Sequence, residues 1–239
     1  MVCDNDAVVE ATILDREVYA MSEAARLLGV RTARLRSWVD GYSRAGRTYE
    51  PVIRLRSTGS DVLTWGEFVE AGYLREYRIK HEISLQRLRP AIIALREQFG
   101  VPYPLAHAKP YVADRELVFE LQEGLGLSGS LAPLVVVRNR QLILSDAARS
   151  FVEKVEFASP ENGPVVRLYP DSRSSPVSID PERAFGAPAV RGVRTETLFE
   201  LFRAGESVDQ IARGYDLDPS AVEAALRYEA RVAEVGRAA

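Results

Sequence analysis

Between Tyr19 and Val39 the apolar positions fall into two short helical stripes separated by a glycine. Ala24, Ala25, Leu27 and Leu28 would line one side of a first helix, with Ser22 placed to cap its start. Leu35, Trp38 and Val39 would line one side of a second, over about residues 31–39. Ala25, a gap of three, Gly29 and then an apolar residue is the spacing of a helix-turn-helix. The small residue lets two helices cross closely, and the glycine takes the turn between them. Trp38 shares its stripe with Leu35 and Val39, which predicts a core residue rather than a base-stacking one.

The pattern then changes period. Residues 40–46 read as a loop broken by Gly41 and Gly46. Val52–Leu55 and Val62–Thr64 are β-prone runs flanking Ser57, Thr58, Gly59 and Ser60, which predicts a hairpin. A hairpin in that place is the wing of a winged helix-turn-helix, and Arg54 and Arg56 would stand on it. Thr64 and Glu67 have capping-box spacing for a helix running to about Lys80. Another helix is predicted over about 84–99, with Leu88, Ile92, Leu95 and Phe99 on one face. Pro90 should kink that helix or mark its start.

A block over 100–158 mixes a short β run at Leu117–Leu121, a second hairpin of Leu134–Val137 and Leu142–Leu144 flanking 138–141, and a helix near 147–157. The Pro- and Ser-containing stretch 159–178 reads as a connector. In the last block, 179–239, three helices are predicted. Leu198, Leu201 and Phe202 mark the first, a Ser207–Gln210 capping box opens the second, and Asp218 with Pro219 opens the third. The expected fold is therefore mainly α with small β elements. It has a lead-in over 1–18, a winged helix-turn-helix and following helices over 19–99, a middle α/β segment, and a C-terminal three-helix, homeodomain-like bundle.

Charge sharpens this picture. From Arg26 to Arg56 there are eight arginines and two acids, Asp40 and Glu50, a net of +6 in a chain whose total is −3. The positive charge is concentrated where a phosphate backbone would need it, although the overall pI of about 5.6 does not mark a nucleic-acid binder. Arg31, Thr32, Arg34 and Arg36 on the second helix are the candidates to reach the major groove or its flanking phosphates. Arg44, Arg47, Arg54 and Arg56 are the candidates for phosphate contacts from loop and wing. The third C-terminal helix holds Glu223, Glu229 and Glu234 against Arg227 and Arg231, so it would gain little from counterion release. DNA binding is therefore expected of the N-terminal unit and protein contact of the C-terminal one. A homodimer is expected, since helix-turn-helix dimers read two half-sites about one DNA turn apart.

Enzymatic and cofactor chemistry finds little support. His81, His107 and Cys3 are too few to furnish a typical zinc site, and His81 beside Glu82 reads as a surface pair. Gly124, Gly126 and Gly129 spell GxGxxG, but a β run follows where a dinucleotide fold needs a helix. Ser128 and Ser130 have no convincing His–Asp partners. The single cysteine fits a reducing compartment, no apolar run reaches about 18 residues, and the acidic start lacks the form of a signal peptide; a cytoplasmic protein is expected.

The segment FGAPAVRGVRTETLFELFRAGESVDQIARGYDLDPSAVEAALRYEA resembles the C-terminal module of a bacterial family of small antitoxins. The resemblance is carried by Gly186, Pro188, Arg191, Gly192, Arg194, Gly205, Glu206, Ile211 and Ala212 over about 50 residues. With its N-terminal head, the whole chain resembles a mycobacterial VapB-type antitoxin. The SEAARLLGV…RLRSW stretch is also similar to the MerR-type DNA-binding head, departing from it in the wing, which lacks that family's Gly-x-Arg-x-Tyr run. The resemblance implies a partner toxin, a ribonuclease of PIN or PIN-like type, together with operator DNA; the residues themselves give no reason to expect a cofactor. Arg167, Arg173, Arg191 and Arg194 would be candidates to block the toxin's carboxylate-rich active site. The alternative expectation is an independent regulator whose middle segment binds a small molecule in a pocket lined by Tyr103, Tyr111 and Phe119.

Overall fold

The computed structural model describes residues 13–81, 85–108, 135–138, 141–144, 146–160 and 163–238. Strand β1 (Glu17–Ala20) runs directly into helix α1 (Met21–Leu28), and Gly29, at φ 61°, turns the chain towards α2 (Thr32–Val39). Ser22 is not the cap of α1. The helix starts two residues earlier, with Ala20 at the cap position and no side-chain cap. The reason is long-range: β4 (Val62–Thr64) pairs antiparallel with β1, and the Met21 amide donates to the Asp61 carbonyl at 2.7 Å. The sheet edge thus holds the chain at the point where the helix begins.

That pairing also relocates the wing. Residues 52–55 form no strand, and β4 is taken by β1. Val52 and Ile53 are buried, and both donate their amides to the Trp38 carbonyl. The hairpin that follows α2 is β2 (Tyr42–Arg44) with β3 (Arg47–Tyr49), turning at Ala45 and Gly46, both at positive φ. Two consecutive positive-φ residues suit the twist of a two-residue hairpin. Tyr42 and Tyr49 stack across it at 4.6 Å.

The Thr64–Glu67 capping box forms. The Thr64 amide donates to Glu67 Oε2 at 3.1 Å, and the Glu67 amide donates to Thr64 Oγ1 at 3.2 Å. It opens α3 (Trp65–His81), which carries the centre of the first core: Trp65, Phe68, Val69, Tyr73 and Leu74 are buried. Helix α4 (Leu85–Phe99) contains Pro90 within it, so the proline does not mark its start. From α4, Arg96 reaches inward to Glu70 on α3 (3.2 Å) and to the carbonyls of Val52, Ile53 and Pro102.

Glu70 is 1% exposed, and its other oxygen accepts from the Leu105 amide at 3.1 Å. Burial pushes its carboxyl up to about 7, against the pull of Arg96 and the Leu105 amide. An acid raised in the folded state contributes stability that is complete below its unfolded pKa and is lost as pH rises through the folded one. Wild type should therefore lose ground to Glu70→Gln between about pH 4.5 and pH 7, which urea melts at about pH 5 and pH 8 would show as a change in the gap between the two proteins. A gap constant across that window would contradict the raised carboxyl.

The middle of the chain supplies β5 (Val135–Arg138) and β6 (Gln141–Leu144), paired as expected, then α5 (Asp146–Val152). The helix expected near 147–157 stops early, and Val155–Phe157 forms β7, paired with β8 (Val165–Leu168). The predicted run at Leu117–Leu121 lies outside the described residues. The stretch expected as a connector is built into the fold. Leu168 bridges Ile179, Ser178 bridges Ala189, and Val165, Val177 and Ile179 are buried. The Trp65 indole N–H donates to the Val165 carbonyl at 2.6 Å, tying that stretch to α3.

The C-terminal module begins with a tight hairpin, β9 (Ala189–Val190) and β10 (Val193–Arg194), turning at Arg191 and Gly192. Three helices follow, α6 (Thr195–Arg203), α7 (Val208–Tyr215) and α8 (Pro219–Ala238). The Ser207–Gln210 capping box is complete, and Pro219 opens α8. Leu198, Ile211, Leu217, Val222 and Ala225 make its core. Glu229 faces inward and accepts from the Thr195 hydroxyl, so one of the acids counted on the third helix is not at the surface. The module rests on the head: Tyr19 Oη donates to the Gly186 carbonyl at 2.5 Å, and a side chain at Gly186, whose φ is +77°, would run into Val18.

Candidate nucleic-acid interface

Helix α2 is amphipathic in the sense a DNA reader needs. Leu35, Trp38 and Val39 are buried against α1 and α3, while Arg31, Thr32 and Arg34 at its N-terminal end are exposed. That end is where the second helix of such a unit contacts base edges, and its free amides favour anions. Arg36 lies one turn further along and pairs with Asp61. Both side chains are solvated, so this pair holds Arg36 only weakly and leaves it at the surface.

Arg44 and Arg47 face each other at the tip of the β2–β3 hairpin, and both are exposed. Like charges directly across a strand pair destabilise it. An anion between or beside them would relieve the repulsion, which suits a phosphate contact from a wing.

Two of the predicted wing residues lie elsewhere. Arg56 is exposed, but in the loop that leads to β4. Arg54 is buried and takes no part in any surface. Its Nε and Nη2 donate to the two carboxylate oxygens of Glu67 (2.8 and 3.1 Å) and its Nη1 to Asp40 (2.8 Å). The Ser60 and Val62 carbonyls accept its remaining bonds at 3.2 and 2.8 Å. Burial alone raises the Asp40 carboxyl, yet the Thr58 amide and the Arg54 guanidinium outweigh it and hold it below the usual carboxylate range. The Asp40–Arg54–Glu67 chain joins the end of α2, the loop before β4 and the start of α3. Sequence reasoning missed it because an arginine in a polar stretch reads as surface; the one available cue was the apolar pair Val52–Ile53 just before it.

The four arginines expected to meet a protein partner divide in the same way. Arg167 is held by Glu156 (2.9 Å) and Asp180 (3.2 Å), and Arg173 donates to the Val155 carbonyl at 3.0 Å, so both fasten the β7–β8 region. Arg191 and Arg194 are exposed on the β9–β10 hairpin. Arg191 reaches Asp218 at only 3.7 Å, and the Arg194 guanidinium lies 5.6 Å from the centroid of the Phe185 ring. Phe185 itself is 84% exposed at φ 56°, a large apolar side chain held outward on a sparsely populated backbone conformation.

Tyr103, expected to line a pocket, instead packs its ring over Gly66 at the start of α3, and its hydroxyl meets Thr64 Oγ1 at 3.3 Å. Tyr111, Phe119 and the glycine triplet 124–129 lie outside the described residues. Among the described residues, no group of three His, Cys, Asp or Glu side chains is placed to hold a metal ion, and no helix is long and apolar enough to cross a membrane.

Head and module together define a winged helix-turn-helix protein with a C-terminal three-helix bundle. The chain is 32% identical over 223 residues to the uncharacterized protein Rv2308 of Mycobacterium tuberculosis, across 91% of this chain and 92% of the relative, and it belongs to the same family. Residues 177–228 match a family described as "Protein of unknown function (DUF433)". Among solved structures, the crystal structure of Rv2018 from Mycobacterium tuberculosis is similar at a TM-score of 0.70 and 26% identity, across 89% of this chain and 99% of that one.

Proposed function

We propose that the chain is a non-enzymatic, cytoplasmic antitoxin of VapB type. It silences a PIN or PIN-like ribonuclease toxin by direct binding and, as a homodimer on operator DNA, represses its own operon. The observation that carries this reading is the division of exposed arginines between two ends of the fold. Arg31, Arg34, Arg44 and Arg47 occupy the second helix and wing of the head, whereas Arg191 and Arg194 are exposed on the C-terminal hairpin, with the Arg194 guanidinium over the exposed Phe185 ring just before it. The first group suits phosphates and base edges. The second pairs an apolar anchor with cations, the composition of a protein-contact centre suited to an acidic partner site. Support for the toxin partner comes from the resemblance over 185–230.

Co-expression with the product of the adjacent open reading frame tests it in the full chain. Truncation before the module would expose the head where Tyr19 meets Gly186, so point substitutions are the cleaner probe. The double variant Arg191→Glu, Arg194→Glu should lose capture of the toxin while still shifting operator DNA in gels. Undiminished capture by that variant would remove the hairpin from the toxin interface, and failure of the wild-type chain to capture the neighbouring product would remove the antitoxin reading.

A further inference from the structure

Where α8 of the module leans on the head there is a cleft of about 140 Å³. It is walled by the end of α1, by α3 at Phe68 and Gly72, by Phe151 and Leu168 of the middle segment, and by Tyr228 and Val232 of α8. The cleft is comparable to engineered cavities of about 150 Å³ that take up benzene. Its walls differ from such cavities in charge: Arg26, Arg75, Lys154 and Arg231 line it with one carboxylate, that of Glu76, while Arg231 also pairs outside the lining with Asp171. Glu76 is already shared between Arg75 (3.1 Å) and Lys154 (3.0 Å).

Two donors in this wall lack acceptors. Tyr228 is 2% exposed, and its hydroxyl has no hydrogen-bond partner among the described residues; neither has the buried Arg75 Nε. Burial pushes the Tyr228 phenol still further above its ordinary range, so at neutral pH it is a donor. A buried hydroxyl or guanidinium N–H left unpaired is costly, and native proteins seldom leave two beside one cavity. Gly72 adds a third observation. A Cβ built there would have Leu28 at 3.6 Å and Leu168 at 3.9 Å, ordinary contact distances, so the glycine is not demanded by close packing, and its φ is not in the left-handed region. Its absent side chain leaves the cleft open.

We propose that this cleft binds a small amphipathic carboxylate, with the apolar body against Leu28, Phe151 and Leu168 and the acid group taken by the Arg26, Arg75 and Arg231 side and the Tyr228 hydroxyl. Because α1 is the first helix of the helix-turn-helix and α8 the last helix of the module, the ligand would touch both. The site is independent of the toxin and operator readings, and it is tested without either partner.

The experiment titrates the full-length chain with benzoate and phenylacetate, with benzamide as the neutral counterpart, by calorimetry and by thermal shift. Either acid should bind and raise the melting temperature. Benzamide should bind roughly tenfold more weakly or worse, because it lacks the charge that makes hydrogen bonds to cations strong. Gly72→Leu should fill the cleft and abolish binding. Tyr228→Phe keeps the ring and its contact with Arg231 at 5.6 Å while removing one oxygen. It should leave the fold intact, since the lost hydroxyl was unpaired, and weaken the acid roughly tenfold. No binding of either acid at millimolar concentration, equal binding of benzamide, or undiminished binding by Tyr228→Phe would each overturn the proposal. Should Gly72→Leu fail to fold, the tyrosine variant decides.

Discussion

Replacing Arg54 with methionine is expected to destabilise the fold by about 3–5 kcal/mol, the usual cost of breaking a buried ion pair from one side. The Arg54 side chain is 6% exposed, and its partners Asp40 and Glu67 are 8% and 7% exposed. Methionine fills much of the volume but leaves both carboxylates without their common cation. The Ser60 and Val62 carbonyls lose a donor as well. Glu67 also serves the capping box that opens α3, and Asp40 accepts the Thr58 amide at 3.0 Å, so the loop before β4 should loosen along with the start of the helix. Urea unfolding of the two proteins checks the magnitude. The functional consequence runs against the expectation from sequence: well below its melting point the variant should bind duplex DNA with unchanged affinity and salt slope. A variant of near wild-type stability whose salt slope falls by about one phosphate would instead return Arg54 to the DNA-contacting set.

The double variant Arg31→Ala, Arg34→Ala is expected to show the converse, normal stability with a large loss of operator binding. Both side chains are exposed, and neither is needed by the core that Leu35, Trp38 and Val39 make on the opposite side of α2. Exposed substitutions of this kind usually move stability by no more than about 0.5 kcal/mol. An arginine bidentate to guanine contributes about 1–3 kcal/mol of discrimination, so two such contacts together would cost about 2–6 kcal/mol on the operator and less on a scrambled duplex. Substituting Arg44 and Arg47 on the wing should instead weaken both duplexes alike and flatten the salt dependence. Gel shifts on the duplex upstream of the gene, at several salt concentrations and beside a scrambled control, separate the two patterns. Full operator affinity in the α2 double variant, with its melt unchanged, would remove this helix as the reader.

The two outcomes together bear on how arginines are read. All eight between Arg26 and Arg56 look alike in a charge count. In the fold one of them is a buried strut, one rests in a solvated pair, and the pair at the wing tip repel each other. The same division separates Arg167 and Arg173, which brace strands, from Arg191 and Arg194, which stand free of the core.

The sequence by itself determined the elements whose causes are local. The two helices around Gly29, the capping boxes at Thr64–Glu67 and Ser207–Gln210, the β5–β6 hairpin and the three C-terminal helices follow from apolar spacing, cap residues and turn residues within a few positions of each other. Those short-range preferences need no knowledge of the rest of the chain. Only the tertiary structure decided what depends on which distant segments meet. Pairing of β4 with β1 moved the start of α1 and left Tyr42–Tyr49 as the wing. The Val52–Ile53 run satisfied its amides on Trp38 rather than in a strand, and Arg54 followed it inward to two carboxylates 14 and 13 residues away. The stretch 159–178 became part of the packed structure because Val165 and Val177 found cores on either side. Hydrophobic pattern states that a residue will be buried; the partner against which it is buried, and so the role left to every charged neighbour, is settled by contacts whose sequence separation no local rule can see.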